Sequence, residues 1–185
     1  MDTVIVIASI AIAVLAVLFL IATFNRLIRL RNRAENSWAQ IDVQLKRRAD
    51  LVPNLVESVK GYASHERETF QAVTEARAQI GRARNLEQRA EGENMLTAAI
   101  GRLLAVSEAY PELRATEQFQ DLQRQLEEIE EKVAVSRQIY NDTVLTYETA
   151  RETFPTNLLT AMLGFGPREY FEVEGAAREA PQVRF

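Results

Sequence analysis

The sequence predicts an all-α protein in which an N-terminal transmembrane helix continues into a bundle of long helices and ends in an extended tail. Three observations predict it. Val4 to Phe24 form an apolar run interrupted only by Ser9 and Thr23, and Arg26, Arg29, Arg31 and Arg33 follow at once. No Gly or Pro occurs between Met1 and Pro53. Beyond that, large apolar residues recur at spacings of three and four on one segment after another, the pattern of helices that pack on helices.

The anchor comes first. At ~1.5 Å per residue, about 21 apolar residues cover about 31 Å, the thickness of a bilayer's hydrocarbon core. A cleaved signal peptide needs a positive start, a shorter apolar stretch and a small-residue cleavage site. Here Asp2 precedes the run and Thr23-Phe24-Asn25 stand where cleavage would fall. The basic flank is the C-terminal one, so the N-terminus is expected outside and the rest of the chain in the cytoplasm. Residues 1–3 are then a short outer segment, too small for an extracellular binding role. Residues 4–24 are the span, 25–165 the helical bundle with its stalk, and 166–185 the extended tail. The four arginines also suit anionic lipid headgroups, at ~1 kcal/mol per basic residue near the surface, although topology alone accounts for them.

The stalk follows. Trp38, Ile41, Leu45, Arg48, Val52, Leu55, Val59 and Tyr62 have heptad spacing, a coiled-coil-like seam with one charged member, Arg48. Such a seam packs inside its own bundle or against another copy, and spacing does not separate the two. Pro53 interrupts the seam without shifting its phase, which predicts a kink in a continuous helix rather than a stop. Gly61 weakens the helix, and Ser64 with Glu66 is expected to cap the second.

Helix two carries Phe70, Val73 and Ile80 and fades in the polar stretch from Gly81 to Gly92. Helix three, with Leu96, Ile100, Leu103, Leu104 and Val106, ends at Tyr110-Pro111. Thr116 is placed to cap helix four, whose stripe is Phe119, Leu122, Leu126, Ile129, Val133, Ser136, Tyr140, Val144 and Tyr147. It runs for about 37 residues, or about 55 Å, and stops before Pro155. A short helix from Asn157 to Leu163 closes on Gly164. In the tail, Tyr170, Phe171, Val173 and Phe185 could dock on the bundle.

Composition narrows function. There is no cysteine, hence no disulfide, thiolate metal site or cysteine nucleophile. Taking the four neck arginines and Asp2 from the 22 basic and 26 acidic residues leaves the rest near −7, a poor surface for nucleic acid. His65 is the sole histidine and sits at an expected helix start. Glu127, Glu128, Glu130 and Glu131 read as a solvated helix face. Glycine-rich phosphate loops, zinc-binding helices and nucleophile elbows are missing. No catalytic, cofactor-binding or metal-binding residue is therefore predicted. Two aromatic–proline clusters remain: Tyr110-Pro111 beside Glu108, and Phe154-Pro155-Thr156-Asn157 with Phe165. Each terminates a helix, or offers an aromatic patch to a partner or to the bilayer.

Several blocks resemble a known family. WAQIDVQLKRRADLVPNLVESVKGYASHE at 38–66 is followed by VTEAR, LLAVSEAYPELRA, RQIYNDTV and FPTNLLTAMLGF, then YFEVE and a closing PQVRF. Together they resemble the LemA family of bacterial membrane proteins across nearly the whole chain after the anchor. The resemblance implies a single membrane helix with a short outer end and a cytoplasmic antiparallel four-helix bundle, in the bacterial inner membrane. It implies no catalytic residue. One branch of the family is associated with magnetosome membranes, and members are often encoded beside membrane zinc proteases. The function expected is a non-enzymatic scaffold that self-assembles and organises or shapes the membrane. The alternative is an adaptor for a membrane partner such as an envelope quality-control protease. The expected partners are the lipid bilayer, further copies of the chain through the seam residues Trp38, Ile41, Leu45, Val52, Leu55, Val59 and Tyr62, and another membrane protein in the adaptor case.

Overall fold

The structure is a computed structural model that describes residues 1–160 and 162–172. Every regular element among them is a helix: α1 (Asp2–Lys60), α2 (Arg67–Arg82), α3 (Leu86–Glu108), α4 (Pro111–Arg114), α5 (Glu117–Glu152) and α6 (Asn157–Thr160). The described chain forms two compact units, one of residues 1–39 and 138–170, the other of residues 40–137 and 171–172.

The second unit is a four-helix bundle with a continuous apolar core. Val52, Leu55 and Val59 of α1 meet Val73, Ala76 and Ile80 of α2, Leu96, Ala99, Ile100 and Leu103 of α3, and Phe119, Leu122 and Leu126 of α5. Leu113 of α4 closes one end, and Tyr110 packs against the same core. Pro53 lies inside α1 and the helix continues through it, as the unbroken register requires.

Three boundaries differ from expectation. α6 ends at Thr160 rather than running to Leu163. Glu66, not Ser64, is the N-cap of α2, and its side chain makes no capping bond; the turn after Lys60 is longer than the Ser64 assignment allowed. The polar stretch 81–92 is mostly helix. Asn85 accepts a 2.9 Å bond from the Gln88 backbone, and the Gln88 side chain accepts one from Arg84 N–H. This reciprocal cap starts α3 with only three residues between it and the end of α2. Gly92 then serves close packing. A Cβ there would lie 2.8 Å from Ile80 Cγ1 and 3.0 Å from Ile80 N.

The first unit pairs α1 with the end of α5. Ser37 lies by Thr143 at 3.4 Å, Trp38 meets Tyr140 edge-on at 5.6 Å, and Leu27 packs with Tyr147 and Ala150. Residue numbers fall on one helix as they rise on the other, so the pair is antiparallel. The Thr116 cap of α5 is present, with Phe119 N–H donating to its hydroxyl. Gly164, at φ 73°, turns the chain back after α6.

From Val4 to Leu20 every side chain of α1 is exposed. A helix that is apolar on all sides and uncovered requires an apolar surround. This is the candidate membrane span of the chain.

Candidate functional site

The first unit holds the membrane boundary. Thr23, inside the apolar run, is only 7% exposed. It lines an open groove of about 470 Å³ whose walls include Phe19, Arg26, Thr149, Thr153 and Pro155. Arg26, Arg29 and Arg33 are exposed and can face headgroups. Arg31 is partly committed elsewhere: its guanidinium lies over the Phe165 ring at 5.7 Å. Phe165 is buried and meets Phe24 edge-on at 5.5 Å.

The segment after α6 is tied to α5 by polar bonds. The Tyr140 hydroxyl donates to the Glu169 carbonyl and the Tyr147 hydroxyl to the Gly166 carbonyl, both at 2.8 Å. Burial pushes both phenols above their usual pKa. Arg168 N–H donates to Glu148, whose carboxylate also holds Arg151, and the Arg168 guanidinium pairs with Glu35. The hydrogen bond that Arg151 donates to the Glu148 carboxylate holds its guanidinium above the usual value. Phe171 is fully buried and Tyr170 half-exposed. Val173 and Phe185 lie outside the described residues.

The seam residues are consumed by the chain itself. Ile41, Leu45, Val52, Leu55 and Val59 are all at most 2% exposed within one chain. Trp38 is half-buried beside Tyr140, and Tyr62 is 44% exposed. The seam is therefore intramolecular along most of its length, and a case for self-assembly cannot rest on surplus seam.

Arg48, the charged member of that seam, is 2% exposed. Its guanidinium contacts Glu130 of α5 at 2.5 Å, Thr97 of α3 at 2.9 Å and Glu93 of α3 at 3.7 Å. Arg89 bridges Glu93 to Asp42. Burial lifts the Glu93 carboxyl above its usual range, against the pull of Arg89 and Arg48. Burial likewise lowers Arg48, against Glu130 and Glu93. Glu130 reaches Arg48 from the rim of the solvated face, its side chain still 41% exposed, and Glu127, Glu128 and Glu131 are exposed as expected. A lone arginine in an apolar seam was the one sequence signal of this network. Nothing in the spacing pointed to Glu93.

Two other candidates lie at helix starts. Pro111 starts α4, and Glu108 pairs with Arg114 at 2.6 Å. His65 is exposed in the turn before α2. Among the described residues no group of three or more His, Cys, Asp or Glu is placed to hold a metal ion.

Comparison with known proteins decides the family. The LemA family model matches residues 37–185, the greater part of the chain. The chain belongs to the LemA family. This LemA chain is 28% identical to magnetosome protein MamQ 2 of Paramagnetospirillum magneticum, over 95% of its own length and 75% of that protein. It is 25% identical to magnetosome protein MamQ of Magnetospirillum gryphiswaldense, covering 94% and 74%. It is 24% identical to protein LemA of Metamycoplasma hominis, covering 75% and 64%. The matched family region begins at Ser37, so it takes in the Arg48 network and the segment that returns along α5. The anchor precedes it.

Proposed function

We propose that the protein is a non-enzymatic scaffold, held in the bacterial inner membrane by α1 with its N-terminus outside, that self-assembles and organises the bilayer. The observation that carries this reading is the exposed apolar span, joined without a break to a helix that is also part of a four-helix core. The two buried charged groups support it, because Arg48 and Glu93 face each other and the half-exposed Glu130 rather than a cleft. The magnetosome proteins among its relatives point in the same direction.

With the seam used internally, copies must meet elsewhere. The uncovered span is the natural place, since Ser9 and Ala13 put two small side chains one turn apart. Anchoring in one plane also raises the effective concentration of copies. The chain has no cysteine of its own, so Ala13→Cys gives a clean probe. Oxidation of full-length protein in native membranes is expected to yield a disulfide-linked dimer. Monomer alone, or cross-links only to other proteins from several positions along α1, would overturn self-assembly and leave the adaptor reading in its place.

A further inference from the structure

Between Glu152 and Arg168 no residue is charged, in a chain where 26% of residues are. The stretch begins where α5 ends and holds α6 and the turn at Gly164. Three of its large side chains are uncovered: Phe154 is 74% exposed, Leu158 63% and Met162 84%. A helix stop explains Pro155. It does not explain three large apolar side chains facing outward, where a water-facing turn would carry polar ones.

The antiparallel pairing fixes where this turn lies along α1. Phe154 and Pro155 share the groove wall with Phe19 and Thr23. Phe165 touches Phe24, and Leu27 is buried with Ala150 and Phe165. The turn is thus level with the last turn of the apolar run, below the neck arginines. Thr23 and Phe19 are four residues apart, so the turn reaches about 6 Å into the span. That is within the ~5–10 Å by which amphipathic elements sink into the headgroup–acyl boundary.

We propose that residues 154–160 and 162–163 belong to a foot that inserts Phe154, Leu158 and Met162 into a single leaflet, the one at the Arg26 end of the span. The proposal rests on α1 crossing the membrane. Its occupant is a phospholipid surface, for three reasons. The patch is continuous with the lipid-facing part of α1. It carries no charge to desolvate. The exposed Arg26 and Arg29 beside it suit anionic headgroups at the same level. The foot gives the anchor a second point of attachment, which fixes its rotation about its own axis. It also adds volume to one leaflet only, which favours a membrane convex toward that side.

Single cysteines at Leu158, Met162, Val14 and Glu131, spin-labelled in the full-length protein and reconstituted in phosphatidylcholine–phosphatidylglycerol vesicles, test it. Collisions with oxygen, which partitions into lipid, are compared with collisions with a water-soluble nickel chelate. Leu158→Cys and Met162→Cys are expected to favour oxygen, as Val14→Cys does, while Glu131→Cys favours nickel. Labels at 158 and 162 that favour nickel would overturn the foot. Labels reached by neither would also overturn it, by showing that protein covers the patch. A Val14 label that favours nickel would remove the anchor itself, a distinct result that takes the foot with it.

Discussion

Arg48 is a charge placed where the pattern of its neighbours calls for leucine. Removing such an ion from water costs several kcal/mol, and the cost is recovered only through partners. Glu130 and Thr97 supply close ones, while the Glu93 contact is long at 3.7 Å, with one of its oxygens unbonded. Arg48→Ala would leave Glu93 buried beside Arg89 alone. We expect a loss of ~3–5 kcal/mol, read from melts of the full-length protein in detergent. Arg48→Met fills the same space but strands the same carboxylate, so it should recover only part of the loss unless combined with Glu93→Gln. Glu93 also gives pH dependence of a definite sign. Its folded pKa is raised, so between the ordinary carboxylate range and that raised value the native state holds a proton the unfolded chain releases. Stability from this group therefore grows as pH falls through that window and is lost as pH rises through the folded pKa. Glu93→Gln should abolish that slope; an unchanged difference between wild type and variant across pH 4–7 would contradict it. Arg48 was visible in the sequence as an anomaly within a heptad. Its partners were not, because a buried glutamate and an exposed one look alike until helices are paired.

At the scale of elements, periodicity located α1 and α5 well. The Thr116 cap and the stop before Pro155 stand where the spacing put them, and α1 passes through Pro53. The start of α3 differs from expectation because the charge-rich stretch from Gly81 to Gly92, poor in large apolar side chains, is mostly helix all the same, and its two bounding glycines do different things. Gly81 and Gly101 have nothing within 4 Å of a built Cβ, whereas Gly92 faces the Ile80 backbone. Only the pairing of α2 with α3 separates a glycine that loosens a helix from one that lets two helices touch. Two substitutions make the point. Gly101→Ala in α3 should stabilise by ~0.5–1 kcal/mol through helix propensity. Gly92→Ala has the same propensity gain but must push α2 from α3, and a lower melting temperature is expected. A gain from both would show that the close approach is not needed. Likewise Leu126, at 4% exposed, and Ile129, half-buried on an open groove with Leu51 and Lys132, share one stripe on α5 but not one environment. Leu126→Ala should cost ~2–5 kcal/mol and Ile129→Ala clearly less.

For the whole molecule, the span was legible from length and composition alone, because a bilayer imposes a thickness that few other environments do. Its orientation is expected from Arg26 to Arg33, which resist translocation. A reporter fused after Phe185 should be active only as a cytoplasmic marker; activity of a periplasm-only reporter there would reverse the topology. What the seam packs against was not legible. The heptad pattern is the same whether its partner lies in one chain or two, and burial of Ile41, Leu45, Val52, Leu55 and Val59 within one chain answers it. The foot was half legible. Aromatic–proline pairs mark a helix end, but its level beside Phe24 follows only from the antiparallel pairing.

The bonds that Tyr140 and Tyr147 make to the backbone near Arg168 bear on how the protein is made. Leu27 leaves the ribosome well before its cover, Tyr147, Ala150 and Phe165. At ~5–20 residues per second the interval is roughly 7–28 s. Throughout it the anchor can already be inserted while the residues at its base have no partner and the two phenols no acceptor. A nascent chain that stalls before Gly166 would therefore be tethered but unfinished at the bilayer surface, with Leu27 and Phe24 open to any surveillance factor that recognises unburied apolar surface.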